Sequence, residues 1–195
     1  MAVFARRKTM QNIIDTIPGK LRIETYAKGN QVAMHVVPVE SFLFTDEKAP
    51  LAIASHDEAP CFFVHDAGYV GAIKVSLSEA LEGKVEALVG EALSAHGLQG
   101  EGLHVIIGPC LTFSHTPIER ETLAKAMERY RGACKITSGV DYFDVPLACL
   151  LGFRALGVPM AQIQVSPYDT YENPSLLYSK LRGEEEENVT LATLL

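Results

Sequence analysis

Apolar and polar residues alternate over positions 21–27 and again over 31–37. This predicts two strands joined by Lys28-Gly29-Asn30, whose composition suits a hairpin turn. Pro38 has no amide hydrogen to give to a ladder and ends the second strand. Three more short strands are expected at 51–55, 61–65 and 69–75, the last two connected through Asp66-Ala67-Gly68. The period then changes to that of a helix. Leu77, Leu81, Val85, Leu88, Val89, Ala92 and Leu93 fall on one stripe, with Glu82, Lys84, Glu86 and Glu91 on other faces. Ser76 followed three residues later by Glu79 has the form of a capping box, and Gly97 is a natural stop. Gly83 and Gly90 inside this helix each cost about 1 kcal/mol against Ala, which suggests close packing against another element.

A buried strand is expected at 103–107, closed by Gly108-Pro109. Thr116-Pro117-Ile118-Glu119 has the form of a second capping box, with Pro at the first helical position, and opens a helix to about Tyr130. A strand follows at 135–137. Asp144 caps a third helix over 145–156, with Pro146 tolerated in its first turn and Gly157 closing it. Strands at 162–166 and 189–194 complete the chain, separated by a Tyr/Pro/Asn-rich loop and the acidic run from Glu184 to Glu187. There is no internal repeat and no linker. The pattern predicts a single domain over 1–195, of the α+β or mixed α/β class, with 1–40 as an N-terminal hairpin region.

The 195 residues suffice for one domain that buries roughly 70% of the surface exposed by the unfolded chain, without a metal or disulfide staple. Seventeen Lys and Arg against 24 Asp and Glu give a net charge of −7, which argues against nucleic acid or an anionic lipid surface as partner. No apolar run reaches the ~18 residues of a membrane span, and Arg6, Arg7 and Lys8 lead into a mixed segment unlike a secretory signal. The four cysteines form no CxxC pair, so reduced thiols and a cytoplasmic location are expected.

Phosphate-cradle, dinucleotide, nucleophile-elbow and zincin motifs are all absent. The densest polar stretch runs Ser55-His56-Asp57-Glu58-Ala-Pro-Cys61-Phe-Phe-Val-His65-Asp66. Thiolate, imidazole and carboxylate so close together suit zinc or another transition metal. The alternative is that Cys61 is a core residue and that His65 and Asp66 belong to a solvated turn. Cys110, at a strand end after Gly108-Pro109, is either a buried inert thiol or a nucleophile served by His104 or His115.

A more specific pattern lies in the last third of the chain. Asp144-Val-Pro-Leu-Ala-Cys-Leu-Leu-Gly-Phe-Arg-Ala-Leu-Gly157-Val158 is followed by Gln162-Ile-Gln-Val. Then comes Thr170-Tyr-Glu-Asn-Pro174-Ser-Leu-Leu-Tyr178-Ser179-Lys-Leu-Arg182-Gly. Together with Gly108-Pro109-Cys110, Phe44-Thr45-Asp46, Leu51-Ala-Ile and Asp57-Glu58-Ala-Pro60-Cys-Phe-Phe, this order resembles the laccase-domain family from about Phe42 to Leu195. That family is also described as multicopper polyphenol oxidase or peptidoglycan editing factor, and it includes purine nucleoside phosphorylases. The resemblance implies stacked mixed β-sheets flanked by helices, and a metal, zinc or copper, held by His, Cys and His.

The ligand positions are replaced here. The family's Cys falls on Glu58 beside a retained Asp57, one His falls on Lys74, and the other falls on Ala33, or on His35 if the register slips by two. The family's loop Cys becomes Asp169, and of its Arg pair only Arg182 remains, next to Leu181. An ammonium at a ligand position repels a cation, so Glu58 and Lys74 are expected to form an ion pair in the metal's place. The first expectation is therefore a metal-free member that binds a small-molecule ligand, with Asp57, Glu58, Lys74 and Arg182 as candidate site residues. The second is a nucleoside phosphorylase, either with His35, His56 and His65 as relocated zinc or copper ligands or with Lys74 and Arg182 holding phosphate. A Cys110-dependent hydrolase is the third.

Overall fold

The computed structural model describes residues 13–26 and 36–195. Its centre is β6 (Ala59–His65), in which all seven residues are buried. A strand can be apolar on both faces only when both faces are covered. Phe62 and Val64 point into one core with Ile23, Ile53, Ala72 and Ile106, while Cys61 and Phe63 point into another with Val89, Cys149 and Phe153. Antiparallel neighbours flank it: β7 (Val70–Val75), followed by β4 (Phe42–Thr45), on one side, and β8 (Leu103–Ile107) on the other. β12 (Ile163–Val165) pairs parallel to β8 and completes a five-stranded mixed sheet.

The first core lies between that sheet and a second one of order β1-β2-β13-β5-β3. These strands are β1 (Ile13–Ile17), β2 (Leu21–Tyr26), β13 (Asn188–Leu194), β5 (Leu51–Ser55) and β3 (Val37–Pro38). The other core lies under four helices: α1 (Leu77–Glu82), α2 (Lys84–Ala95), α3 (Arg120–Tyr130) and α4 (Val145–Ala155). A small third sheet of β9 (Pro117–Ile118), β10 (Cys134–Lys135) and β11 (Asp141–Phe143) joins α3 to α4. Stacked mixed sheets with helices on one face are the α+β arrangement expected from the resemblance.

Several elements depart from the sequence reading. The N-terminal hairpin is β1–β2, with Ile13 opposite Thr25, whereas the expected partner at 31–37 lies almost wholly outside the described residues. Ser76 and Glu79 do form the capping box, but Gly83 takes a left-handed φ of 78° that ends α1 after six residues and starts α2. Gly90 continues the helix, and a Cβ there would lie 3.0 Å from a Leu156 methyl, which is the close packing its cost implied. The second capping box does not form. Thr116 donates its hydroxyl to the Phe143 carbonyl and extends the β9–β11 pairing of the third sheet, so Pro117–Ile118 becomes strand and α3 begins at Arg120. Asp144 caps α4 by accepting from the Leu147 amide at 3.0 Å.

The two sheets meet at one edge through a buried carboxyl. Asp15 on β1 accepts from Gln164 of β12 at 3.2 Å. Burial drives its pKa up, and the polar side chains of Ser166 and Gln164 beside it offset only part of that. A carboxyl that holds its proton more tightly when folded contributes stability at low pH and loses it as pH rises from the unfolded value through the raised one. Asp15→Asn keeps the shape and removes the charge. Its thermal midpoint is therefore expected to exceed that of the parent at pH 7, with the gap closing by pH 3; an equal gap at both pH values would contradict the assignment.

Candidate functional site

The loop from β5 into β6 carries His56, Asp57 and Glu58, and each is fixed by a different neighbour. Asp57 accepts from the Thr170 hydroxyl at 2.7 Å and from the Leu181 amide at 3.0 Å, so it anchors the C-terminal loop. Glu58 turns back on its own segment and accepts from the His56 amide at 2.9 Å. Burial raises its pKa, but the amides of Glu58 and His56, the charge of Lys74 and the Asp57 amide outweigh that and hold the group below its usual value. Glu58 therefore stays ionised.

A second carboxylate centre lies across from it. Asp169, 5% exposed, accepts from the Thr112 amide and hydroxyl at 2.8 and 2.6 Å and from the amides of Tyr171 and Glu172 at 2.7 and 3.0 Å. His115 Nδ1 lies 3.2 Å from the same carboxylate, and its Nε2 lies 3.2 Å from Glu172. The ring also packs on Tyr171 at 4.4 Å. Burial raises the Asp169 pKa, but the Thr112 bonds, the Glu172 amide and His115 together hold it below the ordinary carboxylate value. Between the two centres is a cavity of about 210 Å³, lined by Asp57, Glu58, Ser76, His115 and Thr116 with Leu77, Leu111, Pro117 and Val145.

The other expected site residues are distributed differently. Lys74 on β7 donates to the Ala54 carbonyl at 3.1 Å and faces a separate cavity of about 410 Å³ beside Glu40 and Glu187. The expected Glu58–Lys74 ion pair is thus not made: the lysine acts on Glu58 through space only, because the two side chains line different cavities. Arg182 gives its guanidinium to the Thr170, Tyr171 and Leu177 carbonyls and to Glu184, so it is a clamp on the loop and leaves no fork free for phosphate. Cys110 is 2% exposed. Burial pushes its thiol well up, and Cys149, Asp144, Asp169 and Asp57 add in the same direction, which is the opposite of an activated nucleophile.

The histidines do not gather either. His65, at the far end of β6, is saturated by the Ala67 amide and the Gln99 carbonyl, both at 3.0 Å. His56, before the start of β6, lies 3.0 Å from the Glu185 carbonyl. At about 3.3 Å per residue the strand holds the two roughly 20 Å apart, so they cannot share one ion. His35 lies outside the described residues. Among those described, no group of three or more His, Cys, Asp or Glu side chains is arranged to hold a metal ion. The donors among the described residues do not fit the metal that the resemblance implies. The approach of His115 to Asp169, 54 residues apart, had no signal in the sequence spacing.

The family model described as multi-copper polyphenol oxidoreductase laccase matches residues 7–192, so the match takes in the N-terminal hairpin as well. A comparison with curated proteins finds no match. The fold is similar to that of YlmD from Geobacillus stearothermophilus, with 24% identity, a TM-score of 0.70 and coverage of 81% of this chain and 62% of that one. It is also similar to the Bacillus licheniformis hypothetical protein YfiH, with 16% identity, a TM-score of 0.69 and coverage of 87% and 74%. A Neisseria meningitidis protein matches at 16% identity and a TM-score of 0.67, over 79% and 64% of the two chains. The chain thus spans 62% of the YlmD chain.

Removing the clamp should release the loop. Arg182→Met takes one donor from each of three carbonyls and from Glu184, and the expected cost is about 3 kcal/mol in denaturant unfolding. Amide exchange at Leu181 should quicken in the same variant; a change under about 0.5 kcal/mol would show that the clamp carries no load.

Proposed function

This chain belongs to the laccase family, and on that premise we propose that it binds a small organic molecule in the cavity between Glu58 and His115, with no metal at the family's ligand positions. The observation that carries the reading is the cavity itself. It is concave, with an apolar wall of Leu77, Leu111 and Val145 and a few convergent polar groups held in place by Asp169 and backbone amides, which is the usual make-up of a small-molecule site. At about 210 Å³ it lies below the roughly 300–1,000 Å³ of drug-sized ligand sites, so its ligand is compact.

The donor set supports the metal-free part. By the resemblance, the family's ligand positions fall on Glu58, on Lys74 and on Ala33 or His35, and a lysine ammonium repels a cation. No chemistry is therefore routed through zinc or copper. Phosphate-dependent cleavage of a purine nucleoside is the alternative reading, and no observation favours it. Arg182 is committed to the loop, and Lys74 sits with Glu40 and Glu187 in the other cavity.

Metal content per chain, measured by mass spectrometry on untagged protein purified without chelator, should fall well below one. Zinc or copper near one per chain would overturn the proposal. Lys74→Ala should leave that content unchanged and cost about 1 kcal/mol, the net worth of its bond to the Ala54 carbonyl. Incubation with a purine nucleoside and phosphate should release no free base; release that survives in Cys110→Ala but fails in Lys74→Ala would instead support the nucleoside reading.

A further inference from the structure

We propose that the cavity at Glu58 selects an organic cation, a primary ammonium carried on a short apolar body. The inference rests on the small-molecule reading above and names the charge of the ligand. Asp57 and Glu58 both line the cavity, and among the described residues no Lys or Arg does. Among the described residues, the one lining group able to carry positive charge is His115, whose two ring nitrogens each face a carboxylate, Asp169 and Glu172. Its charge is thus met twice over before any ligand arrives. Lys74 reaches Glu58 only through space, from a position on the other cavity. The sum at the cavity wall is negative, and a concave, partly apolar enclosure concentrates that field on whatever enters.

The carboxylates are also pre-organised. Asp57 is held by Thr170 and Leu181, and Glu58 by the His56 amide, so neither side chain must be ordered when a ligand binds. Every partner named there is a neutral donor, which stabilises the charge without cancelling it. An anion would meet repulsion, a neutral molecule would gain only the apolar wall, and a cation would gain both. Leu77, Leu111 and Val145 leave room for one ring or a short chain beside the ammonium.

Benzylamine, benzyl alcohol and benzoate share one ring and differ in charge, so their affinities for the intact chain, read by NMR titration, separate shape from charge. Benzylamine should bind about tenfold tighter than benzyl alcohol, the size of effect a charged hydrogen bond gives, with benzoate weakest. Glu58→Gln should bring benzylamine down to the alcohol, while Glu121→Gln, exposed on α3, changes nothing. Leu77→Trp should fill the cavity and weaken all three. Should Glu58→Gln fail to fold, salt provides the second measure on the parent protein: benzylamine affinity should fall between 20 and 500 mM salt while that of the alcohol holds. Equal binding of amine and alcohol would overturn the charge selection and leave the small-molecule site standing. Failure of all three to bind at millimolar concentration would overturn the site itself.

Discussion

The structure depends on the double burial of β6. Because Phe62 and Val64 fill one core and Cys61 and Phe63 the other, the strand cannot shift by one residue without exchanging the two faces. Both sheets and all four helices are stacked from that strand. The same constraint locates the chemistry. Polar side chains are excluded from the interior of β6, so Asp57 and Glu58 stand just before its first residue and His65 at its last. The candidate cavity is at one end of the central strand because nowhere along the strand could hold it.

Charge in this protein is used for construction before it is used for recognition. The C-terminal loop has little regular structure; two carboxylates bind it to the body, Asp57 on Thr170 and Leu181 and Asp169 on Thr112, and Arg182 ties the loop to itself through three of its carbonyls. Each accepts or donates several bonds, which is what makes a buried ion tolerable. The cavity walls inherit their rigidity from this network. A site made of loop residues is thereby held nearly as firmly as one made of strand residues.

Much of the fold was legible because it depends on local periodicity. The strands at 51–55 and 103–107, the capping box at Ser76 and the Asp144 cap are all short-range signals, and each is present. Thr116-Pro-Ile-Glu119 misled for a physical reason: the Thr116 hydroxyl had a stronger long-range partner in the Phe143 carbonyl than in its own helix. β1 was missed because its apolar alternation runs through Asp15, a carboxyl that pairs with Gln164 only after folding. The site divides the same way. Glu58 and Asp57 could be read from a resemblance in sequence order, whereas the separation of Lys74 from Glu58 depends on which way a strand side chain faces, and the His115–Asp169 contact depends on the tertiary fold.

The fold can hold a glutamate at 58 and a lysine at 74 because those positions contribute little to either core. Glu58 and Lys74 are only partly buried, and neither belongs to the clusters of Phe62, Ile106, Phe63 and Phe153 that unite the layers. In a domain of this size the apolar cores, not a metal, supply the driving force for folding. Changing the end-of-strand residues therefore alters the charge of a cavity while leaving the architecture in place. On the proposed reading, the residues at the strand end set the sign of the ligand the cavity prefers. A site that holds a metal cation through neutral and thiolate donors favours anions and polarised oxygens beside that cation, whereas one walled by Asp57 and Glu58 favours the cation itself.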